Sequence, residues 1–201
     1  PKGNILVDNG AVLRLKGADI RSTDAQTISL KQGKIGIYGL RVRLGSDLVL
    51  EEGGQSFVYV DEGTGGYKLD QTSKNADGVY NKPEISGVIS GSGGLTKLGN
   101  GSLVLSAKNT YVGKTRIQSG QLEVSETGSL APQTAVEVLE GAEYIVGSSD
   151  TIGSISGAGS IEISSGKTLT AGGLNTDTEV KGVISGGGGF SKSGTGATTL
   201  S

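Results

Sequence analysis

The sequence predicts an all-β chain wound as a parallel β-helix, a solenoid of short stacked strands. Three observations predict it. Gly supplies 37 of 201 residues and Pro only 3, so the chain is punctuated often yet is neither collagen-like nor a disordered Pro/Gly tract. Short runs alternate apolar and polar residues throughout, and no window sustains the i, i+3, i+4 spacing of a helix. One glycine-rich phrase is also spelled twice, as GVISGSGGLTKLGNGSLVLS at 87–106 and GVISGGGGFSKSGTGATTLS at 182–201. Such self-similarity marks a repeat architecture.

The strands follow in order. AVLRL (11–15) sets Ala11, Leu13 and Leu15 on one face and Val12 and Arg14 on the other. KIGIY (34–38) puts Ile35 and Ile37 together, and LRVRL (40–44) sets Leu40, Val42 and Leu44 against Arg41 and Arg43. SFVYV (56–60), SLVLS (102–106), TRI (115–117) and QLEV (121–124) continue the pattern. AVEV (135–138), EYIV (143–146), SIEI (160–163) and KTLT (167–170) complete it. Each run is short and bounded by Gly, Asn, Asp or Ser. If each strand lies above its counterpart from the previous turn, every strand is paired on both sides and the inward side chains stack into one column. Aromatic residues make up 4% of the chain, with no Trp and no Met, so Val, Ile and Leu must fill that column. A coil of about 20–25 residues, at ~4.8 Å per coil, gives roughly eight to ten coils over about 40 Å.

The two long copies align without a gap. Their glycines coincide at 87/182, 91/186, 93/188, 94/189, 99/194 and 101/196. A third, weaker copy is SISGAGSIEISSGKTLT (154–170), in which Ile155-Ser156-Gly157 matches Ile89-Ser90-Gly91. The copies are 66 and then 29 residues apart. The unequal spacing predicts an irregular solenoid with inserted loops.

Composition excludes several functions. There is no Cys and no His, which removes disulfides, thiolate metal sites, Ser-His-Asp triads and His-ligated zinc. Paired carboxylates, Lys, Tyr or Ser-Lys remain for any enzymology. A chain without Cys also has nothing to cross-link while passing unfolded through a membrane. Net charge is −2, so no global field favours nucleic acid. The charge is uneven: residues 1–45 hold 8 basic and 3 acidic residues, residues 46–81 hold 2 and 7. No stretch approaches the length of a transmembrane helix, and the N-terminus lacks a signal-peptide pattern. The opening PKGNILVDNGAVLRLKG already alternates and the chain closes inside a repeat, so an internal fragment of a longer protein is expected.

The stretch GGLTKLGNGSLVLSAKNTYVGKTRIQSGQLEV (93–124) resembles the passenger-associated transport repeat of type V autotransporters. The matching positions are Gly94-Leu95-Thr96-Lys97, Gly99, Gly101, Leu103, Leu105, Asn109-Thr110-Tyr111, Gly113, Thr115, Gly120 and Leu122. SLAPQTAVEVLEGAEYIV (129–146) and IGSISGAGSIEI (152–163) are also similar to autotransporter passenger sequence. Ala107 departs from the pattern, which usually has a second Gly before Asn-Thr-Tyr. The resemblance covers 85–201, whereas 1–84 fits a β-helix by pattern alone.

The resemblance implies a right-handed parallel β-helix that crosses the outer membrane with the help of a C-terminal barrel absent from this sequence. It implies an extracellular or cell-surface passenger, an adhesin or other host-directed factor, whose repeats aid export and folding. Its implied partners are a host receptor protein or glycan, and its own translocator barrel during export. Residues 1–84 are then the candidate recognition region and 85–201 the repeat-bearing stalk. A released effector, a bare structural spacer and a polysaccharide-acting enzyme are the rival readings.

No catalytic residue, metal ligand or cofactor site is expected. GSGG (91–94) and GGGG (186–189) lack the Gly-x4-Gly-Lys-Ser/Thr pattern of a phosphate loop and are followed by strands, so they read as tight corners. Lys97 and Lys192 read as solvent-facing lysines that discourage edge pairing. Asn109 reads as a turn cap or a member of a short ladder. Glu51-Glu52 and Asp61-Glu62 read as a solvated acidic region, with a Glu52–Asp61 pair across neighbouring coils as the alternative. The binding candidates are a basic stripe, Lys31, Lys34, Arg41 and Arg43, suited to sulfated glycan, anionic lipid or an acidic receptor. The second is an aromatic group, Phe57, Tyr59, Tyr67 and Tyr80, forming either a contact patch or filling for a wider part of the solenoid.

Overall fold

The computed structural model describes residues 4–16, 19–20, 27–38, 43–52, 54–61, 82–125 and 127–201. Every element among them is a strand, and every pairing is parallel. Each coil runs through three faces. The first face holds Ile5–Asp8, Ile28–Lys31, Leu48–Leu50 and Ile89–Gly91, and resumes with Asp150–Ile152, Thr168–Ala171 and Gly189–Lys192. The second face is a nine-stranded sheet from Val12–Lys16 to Thr198–Leu200, and the third an eight-stranded sheet from Asp19–Ile20 to Ile184–Ser185. Nine rungs at ~4.8 Å make a rod about 40 Å long, as the strand pattern predicts.

Register shows the coil length. Leu95 pairs with Thr115, Thr115 with Val136 and Val136 with Ile155, steps of about one 20-residue coil. The step from Leu48 to Ile89 is longer and contains residues 62–81, which lie outside the described residues. Period-two alternation then fixes the core. Ile35, Val58, Ile117 and Val138 stack in register on the inner side of the second face, all essentially unexposed.

Lys97 occupies a rung of that same column, between Val58 and Ile117. It is fully buried, which corrects the expectation of a solvent-facing lysine. The reason is parity: Leu95 points inward, so the residue two positions on does too. The ammonium is satisfied by three carbonyls, those of Leu98 at 3.1 Å, Gly99 at 2.8 Å and Ser119 at 3.0 Å, which matches its three donors. Lys192 makes the same local contacts, to the carbonyls of Ser193 and Gly194, and is exposed.

The three Ile-Ser-Gly copies lie on three different faces. Ile89–Gly91 is on the first, Ser154–Gly157 on the second and Ile184–Ser185 on the third. The unequal spacing of the copies thus reflects rotation around the coil, and not inserted loops as expected. What the copies share is a corner. Gly91, Gly157 and Gly186 all have φ between +100° and +117°. A Cβ at each would sit 2.2, 1.9 or 2.1 Å from a carbonyl oxygen of the coil below. Only Gly satisfies both the φ and the close approach.

The first face has a gap in its strand pairing between Ile89–Gly91 and Asp150–Ile152. Backbone bonds such as Val112 N–H to the Gly91 carbonyl and Asn109 N–H to the Ser129 carbonyl cross it, and side chains add to them. Asn109 Oδ1 accepts the Ile89 N–H at 3.0 Å, and its Nδ2 donates to the carbonyls of Ala107 and Ser129. Two coils further on, Asp150 Oδ2 accepts the Leu130 N–H at 2.9 Å. Each side chain takes an N–H that a strand carbonyl would otherwise accept.

Candidate functional site

The described basic candidates lie on three successive faces of one coil. Lys31 ends the first-face strand Ile28–Lys31 and is exposed, Lys34 opens the second-face strand Lys34–Tyr38, and Arg43 begins the third-face strand Arg43–Leu44. Arg41 lies outside the described residues, as do Tyr67 and Tyr80. Phe57 and Tyr59 are half-buried and alternate with the inward Val58 and Val60, so both lie on the outward side of the second face.

The structure joins one member of each group. Lys34 pairs in register with Phe57, and its ammonium lies 4.7 Å from the centre of the Tyr59 ring, within cation–π range. Lys34 and Tyr59 form one wall of a groove of about 420 Å³, at the corner between the second and third faces. The turns Leu98–Asn100 and Gln118–Ser119 from the next two coils form the other wall. Gly99 has φ +79°, and a Cβ there would lie 2.2 Å from the Val60 carbonyl oxygen. The glycine lets this wall sit tightly on the coil below. Sequence reasoning missed Asn100 and Gln118 because only the stacking of coils brings them beside Tyr59.

Of the acidic candidates, Glu52 precedes and Asp61 ends the second-face strand Gln55–Asp61, so the two belong to one coil, and Glu62 lies outside the described residues. No group of three metal-capable side chains occurs among the described residues. Further along the second face, Glu137 Oε2 meets Lys114 at 3.0 Å and Arg116 at 3.5 Å. On the third face Lys82 reaches Glu123 at 2.8 Å.

The interior carries its own polar cluster. The Tyr111 hydroxyl lies 2.5 Å from Thr115 Oγ1, and Thr134 Oγ1 donates to the Tyr111 carbonyl. Burial pushes the Tyr111 and Tyr144 hydroxyls well above the usual tyrosine range. The Tyr144 hydroxyl has no hydrogen-bond partner among the described residues. Burial also raises the Asp150 carboxyl to about 6, against the lowering effect of N–H bonds from Leu130 and Thr151.

Residues 95–124 match the model of the passenger-associated-transport-repeat. Over 183 residues the chain is 31% identical to a protein named adhesin BmaC autotransporter, from Brucella suis biovar 1 (strain 1330). The chain is autotransporter passenger sequence. The matched stretch covers 87% of the passenger fragment and 5% of the Brucella protein. No solved structure matches it. The matched repeat holds Lys97, Asn109, Tyr111 and Thr115, so its signature residues are largely interior ones. The groove draws on both parts of the passenger, with Lys34 and Tyr59 preceding the repeat and Asn100 and Gln118 within it.

Proposed function

We propose that this passenger fragment mediates attachment to a host surface through its outward faces, displayed outside the cell or on the bacterial surface, and does so without catalysis. The observation that carries the reading is identity along most of the fragment to a protein named an adhesin. The absence of His and Cys from the sequence also narrows the available enzymology. The partner is a host receptor protein or glycan, and the N-terminal coils contribute most of the recognition surface. Export through the translocator barrel precedes folding, and the repeat serves that folding by supplying the Lys97 and Asn109 contacts that tie coils together. The test is adherence: beads coated with the 201-residue chain should bind host epithelial cells above beads coated with an unrelated β-solenoid. Equal binding overturns the reading. A bare stalk is the second reading, favoured by a single hydrophobic cluster that runs from Val7 to Val180, and it requires that equal binding.

A further inference from the structure

We infer that the corner groove beside Tyr59 is a subsite for an anionic sugar, a pyranose ring carrying a carboxylate or sulfate. This rests on the attachment reading and gives it a place and a chemistry. Five features converge. The groove, at about 420 Å³, falls inside the ~300–1,000 Å³ range of small-ligand sites. Its aromatic wall is the half-buried Tyr59 ring, held on a strand paired on both sides, with Gly36 and Leu98 as its register partners. With the Lys34 ammonium over its face, the ring fixes that cation in the groove and leaves its edge as the apolar contact for a sugar, on a strand with no ordering entropy left to lose.

The groove's cation is the Lys34 ammonium, placed over that ring. Among the described residues no carboxylate pairs with it. The neutral polar groups are the amide side chains of Asn100 and Gln118, both exposed on the opposite wall. They supply donors and acceptors for sugar hydroxyls.

The fifth feature lies behind the wall. The carbonyls of Leu98, Gly99 and Ser119 are turned inward and taken by the buried Lys97 ammonium. These three oxygens, which would repel an anion, are engaged from the inside by a positive charge. That charge reinforces Lys34 across a low-dielectric wall. A neutral sugar would gain only hydrogen bonds from Lys34, whereas an anionic one also gains the charge attraction, so the site favours a charged sugar.

The test measures binding of the 201-residue chain to three oligosaccharides by isothermal titration calorimetry. A heparin decasaccharide carries sulfate and carboxylate, a hyaluronan decasaccharide carboxylate alone, and an N-acetyllactosamine oligomer no charge. The expected result is binding to one or both anionic ligands, weakened by salt, with weaker or no binding of the neutral one. Lys34→Gln and Tyr59→Leu should each weaken it about tenfold, the loss of one charged or aromatic contact. Gln118→Glu should weaken it at least as much by adding a like charge to the ligand's. Arg116→Gln, on the same face but away from the groove, should leave it unchanged, and circular dichroism checks that each variant keeps its strands. Equal affinity for the neutral oligomer, unchanged affinity in folded Lys34→Gln and Tyr59→Leu, or no binding of either anionic ligand overturns the subsite. Cell adherence separates the two claims. Adherence without anionic-sugar binding refutes the subsite and leaves attachment standing, whereas sugar binding without adherence refutes attachment and leaves the subsite.

Discussion

Replacing Asp150 with Asn is expected to make the passenger more stable at neutral pH. Asp150 is 6% exposed and among the described residues has no cationic partner, only the N–H groups of Leu130 at 2.9 Å and Thr151 at 2.8 Å. Burial holds its carboxyl at about 6, above the ordinary 3.8. A difference of about 2 units corresponds to roughly 3 kcal/mol. The folded state therefore binds the proton more tightly than the unfolded chain. This group's contribution is fully present below about pH 4, falls as pH rises and is lost above about pH 6. Asn keeps an acceptor for Leu130 and carries no charge to bury. Asn109 already does the equivalent task for Ile89. Losing one N–H acceptor costs about 1 kcal/mol, so the variant should exceed the parent by about 2 kcal/mol at pH 7.5 and fall slightly below it at pH 4. Urea unfolding followed by far-UV circular dichroism at both pH values reads the difference. Identical pH dependence in the two proteins, or a variant less stable at pH 7.5, refutes the account of Asp150.

Other outcomes follow from the same packing. Gly91→Ala and Gly157→Ala should each lower stability by about 2–4 kcal/mol, from positive φ plus a clash with the carbonyl below. The two losses should be similar although the residues sit on different faces, as urea midpoints will show. Lys97→Met should pack into the column yet leave three part-buried carbonyls without their ammonium donor, for a net loss of about 2 kcal/mol; a thermal melt at or above the parent's argues against the clasp. Glu137→Gln, which removes a partly exposed ion pair, should shift stability by less than about 1 kcal/mol, and a larger loss would show that the outer ladder matters more than its exposure implies.

Much of the fold was legible because period-two alternation is local. TRI at 115–117 and AVEV at 135–138 appear as strands with the bounds read from sequence. Ile28–Lys31 was missed although ISLK alternates as SIEI does, and Asp150–Ile152 was missed because DTI offers only one apolar residue. Lys97 was misread because its charge was weighed above its parity with Leu95, and the parity was visible. The groove was half legible. Lys34 and Tyr59 each drew notice from residue type, but their meeting depends on a register of 23 residues between Lys34 and Phe57. No local pattern states that register. Asn100 and Gln118 carry no signal at all until two coils are stacked.

The glycine corner has a consequence for how such genes change. A phrase that turns the chain equally well on any face need not recombine in whole coils. Exchange between offset copies, which lie 66 and 29 residues apart, adds or removes whole coils plus one further side of the triangle and still leaves inward residues stacked on inward residues. Each such event turns all downstream coils by a third of a revolution. The buried column is preserved, while the outward residues of successive coils come to lie over one another in a new order.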